Sequence, residues 1–181
     1  PAVLAKFPTG LVLEPGALVP DPRYTAFLGT LEGRHIPWHP VRGGERFTID
    51  SVNFTVLHPV PGWSGWGEDV NEDSVVLLVE YRGFQALLAG DAGFPAEAAM
   101  GAELRPVDVL KVGHHGSRGS TGDTWLGVLR PKAAVVSVGR NDYGHPSPSA
   151  LARLVNAGVE VHRTDLEGTI TITTDGSAMR V

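Results

Sequence analysis

The chain has no cysteine among its 181 residues. That excludes disulfides and thiolate metal sites, so any metal must sit on histidine and carboxylate ligands. No apolar run approaches the roughly 20 residues of a bilayer-spanning helix, and no signal-peptide pattern is visible. Positive charge is also scarce. Lys and Arg number 15 against 20 Asp and Glu, a net charge of −5, which argues against nucleic-acid binding by bulk electrostatics alone. A nuclease stays open, because bound divalent cations would change the local field. The first residue is Pro1 rather than methionine, so the chain is expected to be a processed, trimmed or excised piece of something longer.

What is present is ordinary for a globular domain: 42% apolar and 19% charged residues, with 23 Gly and 14 Pro marking many turns. The length suits one domain with a real core. The pattern predicts the tail of a helix over 1–7, a short strand over 9–13, and a helix over 21–31 capped by Asp21 with Pro22 in its first turn. A proline-interrupted edge strand or loop over 36–41 comes next. Alternation of Phe47, Ile49, Val52, Phe54 and Val56 predicts two strands turning near Asp50. A long loop over 58–73 carries Trp63 and Trp66, which either cover a substrate or fold the loop onto its own domain. Strands over 74–81 and 84–89 form a hairpin around Arg82 and Gly83. Later come helices over 95–104, 123–129 and 148–156, the last with Ser147 as N-cap, alternating with strands over 107–112 and 133–138. A final strand pair, 159–163 and 169–173, is expected around a turn at 165–168. Mixed strands followed by strand–helix alternation imply an α/β fold with helices covering a sheet.

The organising stretch is 107–117, VDVLKVGHHGS. It begins as a buried parallel strand and ends in two adjacent histidines, Gly116 and Ser117. Open α/β sheets bind ligands at that strand edge. The same grammar recurs at 84–91, which ends in Asp91, and at 133–145, which runs through Arg140 and Asn141 to His145. If these strands are neighbours, Asp91, a member of the doublet and His145 converge. Asp91 follows a strand too apolar to be exposed, so it is paired, on a metal, or the N-cap of the following helix. His114 and His115 suit function better than packing, because buried imidazoles need partners for both nitrogens. One can ligate and the other face substrate or support the first. His145, just before a helix, occupies an anion position or orders its loop. Lys111 reads as lining a sheet face, and His35, His39 and His162 as structural or surface residues. His58, before Pro59, is a weaker extra candidate.

In this order the motifs resemble the second half of a metallo-β-lactamase-fold hydrolase, most closely the soluble domain of the ComEC-type competence proteins. The matching elements are NEDSVVLLVE with Asn71 and Ser74, LLAGD ending in Asp91, DVLKVGHHGS with Ser120 and Thr121 after it, AAVVSVGRNDYGHPS and HRTDLEGTITI. They span nearly the whole chain. The resemblance implies an αββα sandwich, with 1–181 as the second part of one domain. It implies two divalent metals in the complete domain, Zn²⁺ or Mn²⁺, and an activated water attacking a phosphodiester. By this analogy Asp91 bridges the metals and His114 or His115 completes the second. Asp91, His115 and His145 are the implied catalytic groups, with Ser117, Asn141, Arg140 and Asn71 near substrate.

The motif HxHxDH, which carries the first metal ligands in such proteins, is absent, and PAVLAKF resembles the segment directly after that motif. The expectation is a partial copy that binds metal weakly and is catalytically poor alone. Its missing N-terminal half would be supplied in cis or trans, and an exposed sheet would favour oligomers. The implied setting is a bacterial, membrane-associated protein, with this segment soluble and single-stranded DNA or another phosphodiester as substrate. Two other readings remain: an esterase of the same fold acting on a small molecule such as a phosphocholine ester, and a non-catalytic partner-binding half-fold.

Overall fold

A computed structural model describes residues 2–17, 20–64 and 69–181. In chain order the elements are α1 (Ala2–Lys6), β1 (Val12–Glu14), α2 (Pro22–Gly33), β2 (Trp38–Pro40), β3 (Arg46–Ile49), β4 (Val52–His58), β5 (Val76–Tyr81) and β6 (Phe84–Leu88). They continue with α3 (Phe94–Ala99), β7 (Val109–Lys111), α4 (Asp123–Leu129), β8 (Ala133–Val136), α5 (Pro148–Asn156), β9 (Glu160–Arg163), α6 (Thr164–Glu167), β10 (Thr173–Thr174) and β11 (Met179–Arg180). Strands β3 to β9 form one seven-stranded sheet in sequence order. The β3–β6 part is antiparallel and the β6–β9 part parallel. That division comes from the connections: tight turns join β3 to β4 and β5 to β6, whereas α3, α4 and α5 each return the chain to the same starting edge.

Register puts Leu78, Leu87, Leu110 and Ala134 in one row across β5 to β8. All four are buried, and they pack with Ala96 of α3, Trp125, Leu126 and Leu129 of α4, and Leu154 of α5. Burying each leucine contributes about 1.5–3 kcal/mol. The opposite row, Leu77, Leu88, Lys111 and Val135, is more open, with Leu88 40% exposed. A second small cluster joins Leu4, Leu31 and Ile36 beneath α1 and α2. Asp21 caps α2 as expected, accepting from the Arg23 amide at 2.7 Å.

Two expected elements differ. The helix over 95–104 stops at Ala99 and gives way to a 3₁₀ turn over Gly101–Glu103, as a glycine in a short helix permits. Residues 159–163 and 169–173 do not pair. β9 adds to the large sheet beside β8, and β10 pairs with β11. The turn between them is helical instead. Thr164 Oγ1 accepts from the Val138 amide at 2.7 Å, Arg163 pairs with Asp165, and Glu167 accepts from the Arg163 amide, which fixes the chain end of β9 against β8.

Two carboxylates hold the helices to the site edge. Glu72 Oε2 accepts from the Gly93 and Ala96 amides at 3.1 Å each, at the start of α3. Glu97, 6% exposed, accepts from the Thr121 amide and, at 2.9 Å, from the Gly122 amide at the start of α4. Arg153 of α5 closes the same segment, donating to the carbonyls of Thr121, Ser120 and Arg118. Burial raises the Glu97 pKa, its backbone donors opposing. Truncation by Glu97→Ala leaves two backbone donors unpaired and should cost about 2–4 kcal/mol in urea unfolding. Because the fold holds the Glu97 proton more tightly than the unfolded chain, the associated stability is present below the ordinary value of 4.5 and lost as pH rises through the raised folded value. The wild type should therefore gain stability relative to Glu97→Gln as pH falls from neutral towards that value. Parallel pH profiles would contradict this.

Candidate functional site

Three neighbouring parallel strands end on one edge. Leu88, Lys111 and Val135 are paired across β6, β7 and β8, and Asp91 and His114 each lie three residues past their strand's member of that row. After β6 the chain turns at Gly90, φ +56°, with the Ser74 side chain packed where a Cβ would stand. Ser74 Oγ accepts from the Asp91 amide at 3.0 Å, leaving the carboxylate half-exposed at the edge.

After β7 the chain passes Gly113, where an added Cβ would lie 2.7 Å from the Ala92 carbonyl. Only glycine lets the two strand-end loops approach this closely. Ser120 and Thr121, both fully buried, satisfy that glycine: Ser120 Oγ donates to its carbonyl at 2.8 Å and Thr121 Oγ1 accepts from its amide. His114 (φ 45°, ψ 44°) and His115 (φ 53°, ψ 24°) then sit consecutively in the left-handed region, a conformation L-residues other than Gly, Asn and Asp resist. The doublet is thereby split. His115 turns to Asp91, while the His114 ring meets His145 edge-on at 5.5 Å.

The His115 geometry is chemically specific. Its Nδ1 lies 2.6 Å from the Ser137 carbonyl, an acceptor only, so Nδ1 carries the hydrogen. The other ring nitrogen, Nε2, faces Asp91 Oδ1 at 3.4 Å. A neutral imidazole so oriented presents a lone pair to a carboxylate, a repulsive arrangement unless a cation or proton lies between. Ligand atoms about 2.1 Å from a tetrahedral metal are about 3.4 Å apart, the spacing seen here. The donor pair thus fits one edge of a divalent-ion site. Among the described residues no group of three or more His, Asp or Glu gathers to hold an ion.

The loop after β8 is tied by Asn141. Its Oδ1 accepts from the Tyr143 and His145 amides, and its Nδ2 donates to the Gly139 and His145 carbonyls. All four hydrogen-bonding positions of the amide are used, so Asn141 shapes the loop instead of offering a donor to a ligand. Gly116, φ +81°, admits this loop: a Cβ there would lie 2.7 Å from Pro146 Cβ. His145 Nδ1 is buried without a hydrogen-bond partner among the described residues. Burial, then His114 and His115, lowers the His145 pKa, with Asp91 opposing. A cavity of about 370 Å³ opens here, lined by His115, Ser137, Arg140, Asn141, Tyr143 and His145 among others.

The sequence-expected residues divide accordingly. Asp91, His115, His145, Arg140 and Asn141 gather at the edge or its cavity. Ser117 does not line the cavity; its Oγ accepts from the Gly119 amide. Asn71 bonds to Asp69, and its carbonyl accepts from the Ser74 amide, so it bears on Asp91 only through Ser74. Lys111 lies on the sheet face as expected, in the row with Leu88 and Val135, and its Nζ also reaches the edge: it donates to the Gly90 carbonyl at 2.8 Å and lies 3.9 Å from Asp91 Oδ1. Burial lowers its pKa, with Asp91 opposing. A lone lysine in an apolar strand was the available signal, and Tyr143 carried none. His58 is fully buried, with Nδ1 donating to the Ser74 carbonyl and Nε2 without a hydrogen-bond partner among the described residues. Trp63 meets it edge-on at 4.6 Å and donates to Asp73, so this tryptophan folds the loop inward; Trp66 lies outside the described residues. His39 and His162 pair with nearby glutamates.

This sheet with its strand-end site has the metallo-β-lactamase fold. The structure of CmlA, a diiron β-hydroxylase from Streptomyces venezuelae, matches it with a TM-score of 0.56 over 87% of this chain and 39% of its own, at 17% identity, a likeness of fold alone. In sequence the chain is 34% identical over 160 residues to ComE operon protein 3 of Bacillus subtilis, covering 86% of this chain. It is 34% identical over 131 residues to competence protein ComA of Neisseria gonorrhoeae, covering 70%. It is a relative of the ComEC-type competence proteins, matched over one segment of them. That segment spans about a fifth of these relatives' length, 20% and 18%. No protein-family model matches the chain. Among the described residues no helix is long and apolar enough to cross a membrane.

The strained doublet makes an inverted stability order the expected outcome. At ordinary positions Ala is more stable than Gly, but His114→Gly should exceed His114→Ala by about 1 kcal/mol in urea unfolding. The usual order at this position would show that the left-handed backbone is absent.

Proposed function

We propose that the chain carries one side of the metal centre of a divalent-metal-dependent phosphodiesterase or nuclease serving DNA uptake. The observation that supports this most is the Asp91–His115 pair, a carboxylate and a tautomer-fixed imidazole at a metal ligand-to-ligand spacing. The fold and the competence relatives accord with it. In this reading Asp91 and His115 hold the ion, with His114 beside them, and the ion, Zn²⁺ or Mn²⁺, supplies an activated water and a Lewis acid when bound. Neutral His145 is placed to exchange a proton with the reacting ester. Arg140, exposed and without a carboxylate partner among the described residues, meets the phosphate anion. Asn141, Asn71 and Ser117 act through the backbone they fix. Lys111 holds Asp91 in place by anchoring the Gly90 carbonyl. The remaining ligands, and a cover for the half-buried sheet face around Leu77, Leu88 and Val135, come from a segment outside this chain, in the same bacterial membrane-associated protein or a second subunit.

Calorimetric titration with Mn²⁺ and Zn²⁺, alongside hydrolysis of bis-p-nitrophenyl phosphate and single-stranded DNA, tests the reading on the chain with and without a preceding HxHxDH segment. Turnover is expected only with that segment, and Asp91→Asn or His115→Ala should reduce it at least about 100-fold. Metal uptake in neither form would leave a non-catalytic partner-binding fold, and turnover of phosphocholine esters alone would shift the substrate class.

A further inference from the structure

Tyr143 stands at the tip of the loop after β8 and is 84% exposed. Its backbone is nevertheless fixed, since its amide donates to Asn141 Oδ1 at 3.1 Å and the same side chain binds both ends of the loop. The ring lies near-parallel to His145, 25° between planes and 6.0 Å between centroids. That separation is within the range of a directly interacting pair, about 4.5–7 Å, and the 84% exposure of Tyr143 leaves its outward face open among the described residues. Both rings line the same cavity as Arg140. A guanidinium without a carboxylate partner among the described residues and an exposed aromatic ring thus border one space of about 370 Å³, of the size of a small-ligand site. A flat hydrophobic ring on a tethered loop loses little conformational freedom on binding, which favours it as a contact surface.

We infer that Tyr143 is a stacking platform for a nucleobase, seated beside the position of the substrate phosphate, so that the site selects nucleotide esters over phosphate esters without a ring. The inference rests on the phosphate-ester reading above and adds to it the residue that sets substrate class. Arg140 engages the phosphate, Tyr143 takes the base on its outer face, and His145 backs the phenol from within. Because every base offers a π-face, such a platform is indifferent to sequence.

Binding of thymidine 5′-monophosphate, 2-deoxyribose 5-phosphate and inorganic phosphate to the chain, followed by ligand-observed NMR, separates the two levels. The nucleotide should bind about tenfold more tightly than the sugar phosphate. Tyr143→Ala should abolish that advantage and Tyr143→Phe preserve it, with sugar-phosphate binding unchanged in both. Equal affinity for nucleotide and sugar phosphate, or an advantage that survives Tyr143→Ala, overturns the platform and leaves the phosphate-ester reading standing. Failure of all three ligands to bind overturns the platform together with the Arg140 phosphate contact it relies on, while the metal titration above tests the phosphate-ester reading separately.

Discussion

The site depends on one hydrogen bond: His115 Nδ1 to the Ser137 carbonyl, at 2.6 Å. Ser137 follows β8, whereas His115 follows β7, so the bond forms only if the two strand ends lie side by side in the observed register. It fixes the tautomer, and with it the direction of the Nε2 lone pair towards Asp91 from the end of β6. Three strand ends, three chain segments and one proton position are coupled. The left-handed backbone of His114 and His115 answers the same requirement. Without it the two imidazoles would not part, one to Asp91 and the other to His145.

Around this bond, buried and half-buried polar groups hold the loops still. Glu72 and Glu97 tie down the starts of α3 and α4, Arg153 spans three carbonyls, and Asn141 uses its whole amide within its own loop. Each unmade bond of this kind would cost about 1–3 kcal/mol, so the strain at the doublet is sustained by its surroundings. The parallel half of the sheet sets where the site lies, and these ties set how rigidly it is presented.

Much of this was legible in the chain itself. Apolar runs ending in Asp91, in the histidine doublet and before His145 mark strand ends, and glycine after each run marks the turn, so the convergence emerged once the strands were taken as neighbours. The assignment within the doublet was not legible, because it turns on backbone dihedrals and on a carbonyl 22 residues away. For a related reason alternation gives the face on which Lys111 lies but not how far its long side chain reaches along the edge to the Gly90 carbonyl. The local hydrogen bonds of Asn141 and Asn71 were not legible, because neither spacing nor resemblance shows which donors are already used. The last strands were mispaired because a short apolar stretch beside a turn fits a hairpin or a sheet edge equally, and the ties of Thr164 to β8 decided it.

In the proposed reading Asp91 and His115 face each other as a cation-binding pair. Paramagnetic broadening by sub-stoichiometric Mn²⁺, read from the NMR signals of the histidine rings and aspartate side chains, tests it most directly. His115 and Asp91 should broaden first, His114 and His145 next, and His39 and His162 last. Uniform broadening of all histidines, or broadening centred on another residue while His115 stays sharp, would contradict it.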